Sequence, residues 1–287
     1  MNKSILGIKK SVANILASVI FWDKKTRDSF RDKISPINKK RCVKYLGRYA
    51  KGVKPAEQLT VNGKYVWACW LQGEENAPEI VKKCFESVRK YKPAGYELVI
   101  IDYNNLDKYV SLPDFVLEKH RRGIISHPHF SDIVRLCLLR QYGGFWIDAT
   151  CLLTSVIPEK IYQSDFFIYR SFGKFERTFI NNCFIYSKAN NQIVSKWLDA
   201  IFDYWKNEDF PIEYFVHHYL FIALLENDAE FNNLYNSYLL TETDENMHLL
   251  FRKAENNEEI SEEFYKKACE LSFIHKLTYK FEIKLPL

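Results

Sequence analysis

Two rhythms of apolar residues alternate along the chain. Near the start, Leu6, Ile8, Val12, Ile15, Leu16, Val19 and Ile20 recur at mostly helical intervals, with Lys9 and Lys10 among them. The spacing predicts an amphipathic helix over Ser11–Trp22. A charged stretch follows at Thr26–Lys33, then a break at Pro36 and a second basic stretch at Asn38–Lys51. From Gly63 the rhythm changes. Lys64–Leu71 is a run of β-branched and aromatic residues between Gly63 and Gly73, and predicts a buried strand. Pro78–Tyr91 returns to helical spacing, with Pro78 suited to a first turn. Tyr96–Asp102 predicts a second strand that ends in an acid. Strand, helix and strand in such quick succession form a βαβ signature, which implies a parallel sheet.

Further helices are predicted at Leu112–Arg121, Pro128–Tyr142, Asn191–Trp205 and Ile212–Leu225, and further strands at Phe145–Asp148, Phe166–Arg170 and Thr178–Tyr186. The tail from Thr241 is charged and helical in character to about Leu271. No internal repeat or long linker interrupts this order. The simplest division is an arm over residues 1–60 and one α/β domain over residues 61–287. No stretch reaches the ~20 apolar residues of a membrane span. Ser11–Trp22 resembles a signal-peptide core, but Asp23-Lys24-Lys25 follows it without a small-residue cleavage pattern, so an uncleaved helix is expected.

Charge sharpens that division. The net charge of +5 over 287 residues hides an asymmetry. Residues 1–60 hold 15 basic and 4 acidic side chains, a balance of +11, while the rest hold 26 and 32, a balance of −6. A basic amphipathic arm can lie on an anionic bilayer, each Lys or Arg adding about 1 kcal/mol near the surface. The plainer alternative is a helical hairpin packed on the body with a solvated basic face, or a docking element for another protein. The acidic body argues against nucleic acid as a partner. Seven scattered cysteines without a CxxC pair suggest reduced, buried thiols in a cytoplasmic protein rather than a disulfide frame or a zinc site.

Candidate chemistry concentrates in Phe130–Thr150, FSDIVRLCLLRQYGGFWIDAT. Asp132 and Arg135 lie three apart and share a helix face. Gly143-Gly144 ends that helix, and the strand after it delivers Asp148 at its carboxyl end, where α/β sheets place ligand-contacting groups. Asp148 follows three large apolar residues and needs a partner: Arg135, a metal or a ligand. The same rule for strand ends points to Trp70–Gly73, including Gln72, and to Asp102. Several enzyme classes are disfavoured. GxxxxGK[ST], GxSxG and a GxGxxG after the first strand are all missing. Asp132 with Asp148 could pose as a glycosidase pair, but Arg135 would keep Asp132 ionised.

The string SDIVRLCLLRQYGGFWIDAT resembles the capsular polysaccharide synthesis proteins and, more broadly, the sugar transferases of glycosyltransferase family 32. Those carry S-D-x-x-R followed by G-G-x-[YW]-x-D-x-D. Upstream, VWACWLQGEENAP and GYELVIIDYNN are similar to the family's first two strands. The likeness is strong over about Tyr65–Tyr169 and thinner at Glu213–His218 and His275–Leu277.

This resemblance implies a GT-A type, Rossmann-like fold that binds a nucleotide-diphosphate sugar, with a UDP-sugar favoured. It implies that Trp70 stacks on the base. Asp132 and Arg135 would hold the donor sugar and diphosphate, Trp146 would lie near the donor, and Asp148 would be the first D-x-D carboxylate. It also implies a divalent cation, Mn2+ or Mg2+, with Asp148 and His275 as ligands. The second acid of D-x-D is Thr150 here, a weaker oxygen ligand, which Lys276 could offset as a diphosphate cation. Glu213, His217 and His218 are candidates for the acceptor side, although neighbouring histidines on a helix point to different faces. The expected activity is retaining sugar transfer to a lipid-linked surface glycan, at the inner face of the cell membrane. The alternative is a non-catalytic nucleotide-sugar-binding or scaffold protein.

Overall fold

A computed structural model of the chain describes residues 37–53, 63–238 and 242–286, without the side chains of residues 174 and 175. The predicted helix over Ser11–Trp22 and the charged stretch after it lie outside the described residues. Five strands form the central sheet: β1 (Tyr65–Cys69), β2 (Glu97–Ile101), β3 (Gly144–Ile147), β5 (Phe166–Arg170) and β6 (Ile180–Ser187), in the order β2-β1-β3-β6-β5. β1 runs parallel to β2 and β3, as the βαβ pattern predicts. β6 is antiparallel to both β3 and β5, so the sheet is mixed rather than all parallel. A two-stranded ribbon pairs β4 (Cys151–Leu153) with β7 (Ile274–Lys276). None of the described helices is long and apolar enough to cross a membrane.

Among the described residues, helices packed about the sheet and its cleft include six that carry or support the site. They are α1 (37–46), α2 (Glu79–Tyr91), α3 (Asp114–Arg121), α4 (His127–Tyr142), α5 (Gln192–Asn207) and α6 (Val216–Asn227). Helix α4 is buried continuously from Phe130 to Arg140 apart from Ser131 and Asp132, so its apolar residues have no solvent stripe. It starts with Pro128 in its first turn and stops at Gly143, whose φ of 67° ends helical backbone. Gly144 follows at φ 93°, and a Cβ there would lie 2.3 Å from the Tyr65 carbonyl oxygen. Two glycines therefore let the chain reverse tightly against β1 and enter β3, each of whose residues is buried. Trp67 of β1 clamps the turn by donating its indole N–H to the Gly143 carbonyl at 2.9 Å. Helix α5 is capped by Asn191, whose side chain accepts from the Ile193 N–H at 2.9 Å.

The expected boundary at residue 60 needs correction for the part that is described. Val43, Tyr45, Leu46, Tyr49 and Ala50 belong to the same buried cluster as Trp197, Ile201 and Tyr204 of α5. The Tyr45 and Tyr49 hydroxyls both donate to the carboxylate of Glu208, which is itself buried. Residues 37–50 are therefore part of the body. The helical tail is also more broken than expected. It divides into Leu249–Glu255 and Glu262–Leu271 before β7.

Candidate active site

The strand order places the carboxyl ends of β1 and β3 beside the exposed start of α4. A cleft of about 680 Å³ opens there, of the size that holds small-molecule ligands. Its wall includes Trp70, Asp132, Arg135, Trp146, Asp148, Thr150, His218 and Lys276. Elements far apart in sequence thus supply one site.

Arg135 is the centre of the network. Its Nη1 donates to the Asn182 carbonyl at 2.7 Å and lies 3.0 Å from Asp132 Oδ1. Its Nη2 donates to Asp148 Oδ1 at 2.9 Å. The guanidinium also lies 4.7 Å from the centre of the Trp146 ring. The Trp146 indole N–H donates to the same Asp148 Oδ1 at 2.8 Å, while Lys276 Nζ donates to Oδ2 at 2.7 Å. Asp148 therefore receives three donors, two of them charged. Burial alone would raise its pKa, but Lys276 and Arg135 outweigh burial and hold it below the usual carboxylate value. The same pairing drives Lys276 upward against burial. Both side chains stay charged.

Asp132 is held differently. Asn182 Nδ2 donates to its Oδ1 at 3.0 Å, and His217 Nδ1 lies 3.2 Å from its Oδ2. The Trp205 indole N–H donates to His217 Nε2 at 2.9 Å, which makes Nε2 the acceptor and leaves the imidazole proton on Nδ1, facing Asp132. Burial pushes the Asp132 pKa up, and Arg135 with His217 overcomes that and brings it well below normal. His218 sits on the cleft wall, and burial lowers its pKa to about 4, so it is neutral at neutral pH.

The predicted site residues divide clearly. Asp132, Arg135, Trp146, Asp148, Thr150, Trp70, His218 and Lys276 meet on one cleft. His217 lies beneath it, touching Asp132, so adjacent histidines on α6 do serve one site from two depths. Gln72 is exposed and off the cleft wall; its carbonyl accepts from Asn76 Nδ2. Asp102 is also off the wall, where its Oδ1 accepts from the Asn104 and Asn105 N–H groups and closes a turn. Glu213 is off the wall as well, while the next two residues, Tyr214 and Phe215, line it. Asn182 was not predicted, although a polar amide inside the apolar run of β6 is a signal that it is held there for a bond.

His275 does not stand beside Asp148. Strand alternation turns it away from Lys276, and it is fully buried, with burial lowering its pKa to about 4. It is not on the cleft wall. Among the described residues no group of three or more His, Cys, Asp or Glu side chains could hold a metal ion. A divalent ion about 4 Å from one ammonium would meet a repulsion of about 8 kcal/mol at an effective dielectric of 20, twice that of two unit charges. With Thr150 as the second D-x-D position, these residues do not fit the metal that the resemblance implies.

The profile of a family described as capsular polysaccharide synthesis protein matches residues 19–285. The chain belongs to that family. Among the relatives that the chain resembles is the O-glycosyltransferase PaGT of Phomopsis amygdali. It is 25% identical over 170 residues, which cover 53% of this chain and 40% of the relative. The O-glycosyltransferase braB of Annulohypoxylon truncatum is 29% identical over 161 residues, covering 50% of this chain and 38% of the relative. The matches thus span about two fifths of these fungal relatives' own length. A solved structure, the PaToxG glycosyltransferase, aligns with a TM-score of 0.40 and 16% identity over 84% of this chain and 99% of that one.

Proposed function

We propose that this chain is a glycosyltransferase of GT-A type that moves a sugar from a nucleotide-diphosphate donor to a hydroxyl acceptor. The observation that carries the reading is the Asp132–Arg135–Asp148–Lys276 network, two carboxylates and two cations facing one cleft at the carboxyl ends of parallel strands. The glycosyltransferase names of the relatives support the same chemistry.

The residues suggest a division of labour. Trp70 offers a ring to the base. Asp132 stays ionised and accepts hydrogen bonds from donor-sugar hydroxyls. Arg135 and Lys276 meet the diphosphate as negative charge grows on it. In retaining transfer, the bond from the anomeric carbon to the phosphate oxygen breaks and its electron pair leaves on the phosphate. The acceptor oxygen makes the new bond, and its proton passes to the departing phosphate. His218, neutral on the wall, with Tyr214 and Phe215, borders the acceptor side. A UDP-sugar donor and a lipid-linked surface glycan as acceptor complete the proposal, with the basic residues ahead of position 37 holding the protein to the anionic inner face of the membrane.

The test is release of nucleoside diphosphate from a panel of nucleotide sugars by the full chain. Asp148→Ala should lower turnover by about 100-fold or more, the size of losing one charge-stabilising donor, because Asp148 holds Arg135 and Lys276 in place. Wild-type turnover in that variant would overturn the site. Donor binding by the wild type with no turnover on any acceptor or on water would favour the non-catalytic alternative.

A further inference from the structure

We propose that Arg135 and Lys276 together stand where a divalent cation would act, so that this chain binds a nucleoside diphosphate without metal. The inference rests on the donor reading above and concerns what neutralises the diphosphate.

Four observations converge on it. First, both oxygens of Asp148 are already engaged by cations, Oδ1 by Arg135 Nη2 at 2.9 Å and Oδ2 by Lys276 Nζ at 2.7 Å. The carboxylate positions two positive side chains instead of offering a vacant edge. Second, Thr150 stands at the second acidic position and offers a neutral hydroxyl there in place of a carboxylate, while its carbonyl accepts from the Leu277 N–H at 2.7 Å. Third, that bond and the register Cys151↔Lys276 make β7 the immediate neighbour of the chain leaving Asp148. Lys276 is therefore aimed by the ribbon, and a quarter of its side chain stays exposed on the cleft wall. Fourth, Arg135 is fixed by the Asn182 carbonyl, Asp132 and the Trp146 face, with only 5% of its side chain exposed.

Counting charge gives the same answer. Asp132 and Asp148 supply two negative charges and Arg135 and Lys276 two positive ones, which is the balance of two carboxylates around one divalent ion. A diphosphate entering the cleft exchanges with Asp148 for Lys276. The ammonium moves from one anion to another a short distance away, and no metal need be recruited.

Isothermal titration of the full chain with UDP, and in parallel with GDP, ADP and CDP, tests this in excess EDTA and in millimolar MnCl2. The expected result is binding of at least one nucleoside diphosphate with a dissociation constant that agrees within about threefold between the two buffers. Lys276→Met should weaken that binding by at least about tenfold, while Lys276→Arg stays within about threefold of wild type. The parent nucleoside, which carries no phosphate, should bind Lys276→Met and wild type alike. That comparison separates lost phosphate contact from a damaged fold. Binding that vanishes in EDTA and returns with Mn2+ would overturn the inference and leave the transferase reading standing. Equal diphosphate affinity in Lys276→Met and wild type would also overturn it. No binding of any nucleoside diphosphate in either buffer would remove the donor reading beneath it.

Discussion

Replacing Arg135 by Met keeps an unbranched chain of similar reach and removes the guanidinium. The change deletes the donors to Asp148 and the Asn182 carbonyl and the ion pair with Asp132. Breaking a buried ion pair on one side costs about 3–5 kcal/mol, because the partner charge is left behind. Here two carboxylates are left, but each is partly solvated, at 16% and 23% side-chain exposure, and each keeps another partner. Lys276 remains on Asp148, and Asn182 and His217 remain with Asp132. The lower end applies, about 3 kcal/mol, or a fall in Tm of about 6–12 °C for a domain of this size. Urea denaturation followed by tryptophan fluorescence measures it at pH 7.5. A second variant, Asp132→Asn with Arg135→Met, should recover at least about 1 kcal/mol by removing one stranded charge. The gap between wild type and Arg135→Met should also narrow in acid. The Asp132 pKa is depressed in the folded protein, so its stabilisation is present above the unfolded value of 3.8 and is lost as pH falls through the folded value. A loss within about 0.5 kcal/mol, the range of an ordinary surface substitution, would refute the account of Arg135 as the centre of the network.

Gly144→Ala should cost about 3 kcal/mol or more, because its Cβ would press on the Tyr65 carbonyl at a φ of 93°; a Tm within about 2 °C of wild type would sink the packing argument. Glu208→Gln should cost about 1–2 kcal/mol by weakening the bonds from Tyr45 and Tyr49, and limited proteolysis should then cut first within residues 37–53. Unchanged cleavage would detach Glu208 from the anchoring of α1. His218 and His275 have folded pKa values lowered from 6.5 to about 4 by burial. Stability should therefore be full above about pH 6.5 and fall as pH drops toward 4, since the unfolded chain takes up protons first. Urea midpoints measured at intervals from pH 7 to pH 4 check this, and a flat profile would refute it.

The core of the site was legible because its chemistry is local. Asp132 and Arg135 lie on one helix and Asp148 just past the end of the next strand, and the Gly143-Gly144 pair marks the reversal between them. Strand direction was less legible. Alternation reports which face is buried, not which way a strand runs, so antiparallel β6 escaped the βαβ pattern. β4 and β7, three residues each, are too short to carry a period. The Lys276–Asp148 contact had no local signature, because the pairing of those strands sets it. Yet strand alternation could have told that His275 and Lys276 face opposite ways. Residues 37–50 misled for the reverse reason. Their charge favoured a membrane-facing arm over a hairpin packed on the body, while Val43, Tyr45, Leu46 and Tyr49 carried the helical spacing of a packed face.

Lys276 also sets a schedule for biosynthesis. It meets Asp148 across 128 positions of sequence. At about 5–20 residues per second, a ribosome would take roughly 6–26 s to deliver the lysine after the aspartate has been made. Through that interval a nascent chain can assemble β1, β2 and β3 but holds Asp148 with one cation fewer. The cleft gains Lys276 only when β7 pairs with β4, so a strand made long after the aspartate arms the site.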